Sequence, residues 1–75
     1  MNDSQYKQAS QAIKNFSNIT RLHYDNYAYT TGYYESVILE LLCAADDRTR
    51  ERIVRQIETT TADFEQKKVE AALRA

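Results

Sequence analysis

The stretch Tyr27-Ala28-Tyr29-Thr30-Thr31-Gly32-Tyr33-Tyr34-Glu35-Ser36-Val37-Ile38-Leu39-Glu40-Leu41-Leu42-Cys43-Ala44-Ala45 decides the fold. Tyr27, Tyr34, Ile38, Leu41 and Ala45 recur at helical spacing, flanked by Thr30, Thr31, Val37 and Leu42. With about 100° between successive residues they fall within roughly 80° of one direction, the width of a core-facing helix side. The far side is not polar. Tyr29, Gly32, Ser36, Leu39 and Cys43 follow one another at spacings of 3, 4, 3 and 4, with Tyr33 and Glu40 at the edge. A solvated face carries Lys, Glu or Gln, and this one carries small and apolar side chains. The pattern predicts a helix over about residues 26–44, packed on two sides, with Tyr27 and Tyr34 in the core.

Asp46-Asp47 ends this helix and opens another, because acidic side chains suit the unpaired N–H groups and positive dipole end of a helix N-terminus. The next helix is expected over about residues 48–72, burying Ile53, Val54, Ile57, Thr61 and Phe64 in a stripe extended by Lys68 and Ala71. Asp46–Arg50, Glu51–Arg55, Asp63–Lys67 and Glu70–Arg74 place acid before base at i,i+4, each pair adding about 0.2–0.5 kcal/mol to a helix. Thr59-Thr60-Thr61 is the weak point, since β-branched side chains lose freedom there; a break giving a short fourth helix is the alternative. Before the central segment, Tyr6, Ala9, Ile13 and Phe16 form one stripe of a first helix over about residues 4–17, capped by Asp3 or Ser4. Residues 21–26 read as its connection to the second helix.

Composition agrees with an all-α, three-helix domain. Proline is absent and Gly32 is the sole glycine among 75 residues, whereas a small β fold needs several Gly- and Pro-rich turns. A chain of this size buries only about 60% of its unfolded surface, so it needs a staple, very good packing or self-association. Cys43 is the only cysteine, which excludes an internal disulfide, and one His with one Cys cannot supply a structural zinc site. No metal or other cofactor is therefore expected. The net charge of −1 gives no global basic field to draw in nucleic acid or an anionic membrane. No apolar run approaches the roughly 20 residues of a membrane span, and Met1-Asn2-Asp3-Ser4-Gln5 lacks the pattern of a signal peptide. A cytoplasmic location is the expectation.

Three groups of residues are candidate contacts. Five of the six tyrosines fall between Tyr24 and Tyr34, and tyrosine supplies interfaces with a large rigid surface and a polar tip. Tyr29 and Tyr33 point away from the main stripe. Gly32 and Ser36, four apart, let another helix backbone approach closely, and such an approach would offset the roughly 1 kcal/mol a mid-helix glycine costs. That other helix is either helix 1 of the same chain or a helix of a second molecule. Arg48, Arg52 and Arg55 share an outward face with Thr59 and Gln66, open to phosphates or an acidic partner. The interleaved Asp46, Asp47, Glu51 and Glu58 instead match an ordinary solvated face.

No catalytic constellation is legible. His23 and Asp25 lie in a connection with no nucleophile beside them, and Cys43 reads as a small buried hydrophobe without a basic neighbour in its own turn. Glu35 and Glu40 diverge on the helix, and no glycine-rich phosphate loop exists.

The segment from Tyr27 to Leu39, with its aromatic-Ala-aromatic stretch before a Gly, an aromatic and an apolar helix, resembles one in small helical accessory proteins of tailed bacteriophages. The likeness covers about a sixth of the chain and carries over no catalytic residue. It implies a phage-encoded protein in the bacterial host cytoplasm that binds and inhibits or redirects a host enzyme or defence complex.

The expectation is thus a non-catalytic, protein-binding three-helix domain in which helices 2 and 3 form an antiparallel hairpin and helix 1 packs across them, self-associating as a homodimer. Its contact residues are Tyr29, Gly32, Tyr33, Ser36, Leu39, Cys43, Arg48, Arg52 and Arg55. Alternatives are a nucleic-acid-associated regulator using those arginines, with nucleic acid the less expected partner, and a structural subunit of a larger assembly.

Overall fold

The computed structural model describes residues 1–20 and 28–74, with side chains for residues 1–19 and 34–74. Three helices account for them: α1 (Asp3–Thr20), α2 (Ala28–Ala44) and α3 (Asp47–Arg74). The all-α class read from the sequence is the class observed. The expected start of the second helix at residue 26, together with Tyr24, Tyr27, His23 and Asp25, lies outside the described residues.

The helix ends follow from local chemistry. Asn2, rather than Asp3 or Ser4, caps α1. Its Oδ1 accepts from the Gln5 N–H at 2.8 Å while Gln5 Oε1 accepts from the Asn2 N–H at 3.0 Å, a reciprocal box that satisfies two otherwise orphaned donors. α1 also runs three residues past the expected stop at Ser17. Ser17 is buried and Ile19 half-buried, so packing continues past the polar Ser17-Asn18 pair. Asp46 caps α3, its Oδ2 accepting from the Thr49 N–H at 3.4 Å. α3 stays continuous through Thr59-Thr60-Thr61. There Thr61 Oγ1 donates to the Ile57 carbonyl at 2.9 Å and Gln56 Nε2 donates to Thr60 Oγ1 at 3.3 Å, so both hydroxyls bond within the helix rather than against it.

α1 is the shared partner. Its backbone packs closely against α3 and against α2, whereas the backbones of α2 and α3 approach each other little among the described residues. The expected hairpin with helix 1 across it is therefore not the arrangement of the principal pairings, which run through α1. Ala9 and Ala12 explain why: small side chains let two helices close on one element. With Ile13 of α1, Leu42 of α2 and Val54 of α3 they form the buried core, against which Leu39, Ile53 and Ile57 pack half-buried. Phe16 of α1 meets Phe64 of α3 edge to face, ring centroids 6.2 Å apart and planes at 80°. That is a favoured aromatic geometry.

The orientation of α2 corrects the sequence reading. Its packed side centres on Glu35, Leu39 and Leu42, which at about 100° per residue lies between the two predicted stripes, roughly 80–90° from each. Tyr34, expected in the core, is 59% exposed, Leu41 is 66% exposed, and Ile38 is exposed beside them. Cys43, read as buried, is exposed. Tyr6 of α1 is exposed as well. α3 keeps its predicted stripe through Ile53, Val54, Ile57 and Thr61; Phe64 packs on Phe16 but stays 40% exposed, and Lys68 and Ala71 are exposed.

Candidate functional site

Two open surfaces follow from this packing. The first is an apolar groove of about 270 Å³, floored by Ile13, Phe16 and Ser17 of α1 and walled by Tyr34, Glu35 and Ile38 of α2 and Ile57 of α3. It lies between α2 and α3, where α1 packs against both. Beyond its rim Leu41 continues the outer stripe of α2. Tyr34, Ile38 and Leu41 stand at i, i+4 and i+7, the spacing by which one helix presents a seam to another. Next to the groove, every residue of α3 from Ala62 to Arg74 is exposed, Val69 and Leu73 included.

The second surface is a polar depression of about 400 Å³ lined by Arg48, Glu51, Arg52, Arg55, Gln56 and Thr59. It brings together the three arginines and Thr59, as their helical spacing predicts. Glu51 sits among them and offsets part of their charge. Of the other predicted contact residues, Ser36 and Leu39 border a small hollow of about 130 Å³ with Ser10, Ile13 and Lys14, so helix 1 of the same chain reaches this part of the Gly32–Ser36 side. Ser36 and Cys43 are themselves exposed, whereas Leu39 packs on the core. The side chains of Tyr29, Gly32 and Tyr33 lie outside the described set.

Electrostatics is concentrated at the α2–α3 turn. Arg50 is 6% exposed. Its Nε donates to the Leu42 carbonyl at 2.9 Å, Nη2 to the Ala45 carbonyl at 2.6 Å and Nη1 to Asp47 Oδ1 at 2.6 Å. A cation here satisfies carbonyls at the C-terminus of α2 and faces the negative end of its dipole. This is the ion pair found among the described residues, in place of the four i,i+4 pairs read from the sequence. Hydrogen bonds from the Thr49 side chain and then its backbone N–H hold the Asp46 carboxyl below its ordinary value.

No group of three or more His, Cys, Asp or Glu side chains suited to a metal ion occurs among the described residues. No helix among them is long and apolar enough to cross a membrane.

Sequence reasoning missed the groove. Its signal was present in Phe16 and Ile57, an aromatic and a branched residue of two helices, but their convergence depends on α1 lying against α3. No family model, curated protein or solved structure matches the chain.

Proposed function

We propose that this chain is a non-catalytic protein-binding module that docks through the apolar surface of α2. The observation that carries the reading is the outward seam of Tyr34, Ile38 and Leu41 beside an open apolar groove. Large apolar side chains grouped on a small surface mark contact sites, whereas single scattered ones do not. Tyr34 gives the seam an aromatic anchor of the kind that dominates interface energetics. The partner we propose is a bacterial protein, with this chain a phage-encoded inhibitor or modulator acting in the host cytoplasm. The likeness of the Tyr27–Leu39 segment to phage accessory proteins supports that assignment.

Affinity capture from bacterial lysate tests it, comparing the wild type with Leu41→Arg. Leu41 lies outside the core, so the substitution leaves the fold intact. The expected result is a protein retained near stoichiometrically by the wild type and lost with Leu41→Arg. Identical captures by both forms would remove the seam from the binding surface.

A second reading rests on the shared depression of Arg48, Arg52 and Arg55, which suits phosphate contacts. Phosphate binding predicts a salt-sensitive gel shift that weakens in Arg52→Ala. Absence of any shift at low salt would eliminate it.

A further inference from the structure

The two halves of α3 are helical for different reasons. Six of the nine residues from Ile53 to Thr61 are β-branched, and such residues are poor helix formers. Burial holds that half. Arg50, Val54 and Thr61 are buried, and Ile53 and Ile57 pack half-buried against the core. From Glu65 to Arg74 the composition reverses. Val69 is the one β-branched residue of those ten, and the other nine are Glu, Gln, Lys, Ala, Leu and Arg, all strong helix formers.

Every residue from Glu65 to Arg74 is exposed. The boundary between the halves lies at Phe64, which meets Phe16 of α1 edge to face and is itself 40% exposed. Past that contact the side-chain hydrogen bond of the segment, from Gln66 Nε2 to Glu70 Oε1 at 3.5 Å, stays within the helix. Turns added to a helix already formed carry no nucleation cost. Each residue joins with an equilibrium constant of about 1–1.6 near 0 °C, and leaves as readily. Little burial and solvent-exposed backbone hydrogen bonds mark a segment that opens by itself.

We propose that α3 is a composite helix. Residues 47–64 open only with the core, whereas residues 65–74 form an arm that winds and unwinds residue by residue while the core stays folded. The arm is helical by its own composition, and the ring contact of Phe64 with Phe16 is where core support stops. Unwinding therefore frees ten residues without disturbing the packing that positions Tyr34, Ile38 and Leu41.

Amide hydrogen exchange on the full chain, read by NMR, tests this together with two proline variants. Amides of residues 69–74 are expected to be protected at least tenfold less than those of Val54 to Thr61. Uniform protection along α3 overturns the proposal. Proline breaks a helix interior, so Glu58→Pro is expected to lower the folding equilibrium constant at least a hundredfold or to unfold the chain. Ala71→Pro is expected to lower it less than tenfold, because only turns of the arm are lost, while the helical circular dichroism falls. A loss of tenfold or more in Ala71→Pro overturns the independence of the arm. Phe64→Ala tests the boundary, since alanine is the better helix former of the two. Loss of the ring contact is nevertheless expected to lower protection at residues 65–68. Unchanged or raised protection there overturns the boundary at Phe64.

Discussion

The Nε of Arg50 donates to the backbone carbonyl of Leu42 at 2.9 Å, eight residues back and across the turn between α2 and α3. The same guanidinium reaches the Ala45 carbonyl and the Asp47 carboxylate, both at 2.6 Å. One buried side chain thus closes the end of α2, fixes the two-residue connection and tethers the start of α3. Leu42 is itself a core residue, so the carbonyl that Arg50 satisfies belongs to the residue through which α2 reaches the core.

Removing Arg50 should therefore cost more than removing its carboxylate partner. Arg50→Ala removes the side-chain donor from the part-buried Ala45 carbonyl and one of two donors from the Leu42 carbonyl, which keeps the Ala45 N–H at 3.3 Å. A buried acceptor left without a donor costs about 1–3 kcal/mol. Urea denaturation should show a loss of about 1–3 kcal/mol for this variant. Arg50→Lys should recover only part, because an ammonium cannot span the same three acceptors in one plane. The Asp47 side chain is 79% exposed, so Asp47→Ala should change stability by no more than about 1 kcal/mol. Equal losses for Arg50→Ala and Asp47→Ala would mean the ion pair, not the carbonyls, is what matters.

The sequence announced the helices more clearly than their orientation. Absent proline and a lone glycine, with Val54, Ile57 and Thr61 at 3 and 4 spacing, were enough for three helices and for the buried side of α3. α2 was harder because its apolar residues lie on nearly every side, and periodicity reports a direction only where polar residues supply contrast. From Tyr34 to Ala44 only Glu35, Ser36 and Glu40 interrupt it. The choice of side was made by α1, whose Ala9, Ala12 and Ile13 meet Leu39 and Leu42. That left Tyr34 and Leu41 open, and with them the candidate surface. Arg50 had a readable signal, a cation just past a helix C-terminus, but its competing i,i+4 pairing with Asp46 was the simpler inference.

Ala9 has no exposed surface and sits where α1 meets its neighbours. Ala9→Leu should force the helices apart and cost about 1–3 kcal/mol. Ala9→Ser, nearly the same size, should cost less, since a helical serine hydroxyl can bond the preceding turn. Chemical denaturation of the two variants checks the order. A leucine tolerated without loss would mean the contact at Ala9 is not close.

Asp46 fixes a pH dependence. Its carboxyl is held below the ordinary 3.8 by hydrogen bonds from Thr49, so the folded state favours the charged form. A depressed carboxylate contributes stability that is complete above its unfolded value and is lost as pH falls through its folded value. Asp46→Asn keeps a side-chain oxygen for the cap but cannot titrate. Thermal melts between pH 6 and pH 2.5 should show the advantage of the wild type over D46N shrinking below about pH 4. A constant difference across that range would mean the Thr49 bonds do not discriminate the charged form.

Thr61 is buried, and its hydroxyl donates to the Ile57 carbonyl, one turn back in the same helix. That bond satisfies the hydroxyl but adds little, because it stays within one helix and such back-bonding tends to bend the backbone. Thr61→Val removes the polar atom while keeping the branched shape, so no buried donor is orphaned and the apolar contact towards the core is extended. Its stability should match the wild type or exceed it, within about 1 kcal/mol, whereas Thr61→Asn adds a larger polar group at the same place and should cost about 1–3 kcal/mol. Urea midpoints for the pair decide the matter. A clear loss in Thr61→Val would show that the hydroxyl bond, and not the packing of the side chain, keeps α3 continuous through its three consecutive threonines.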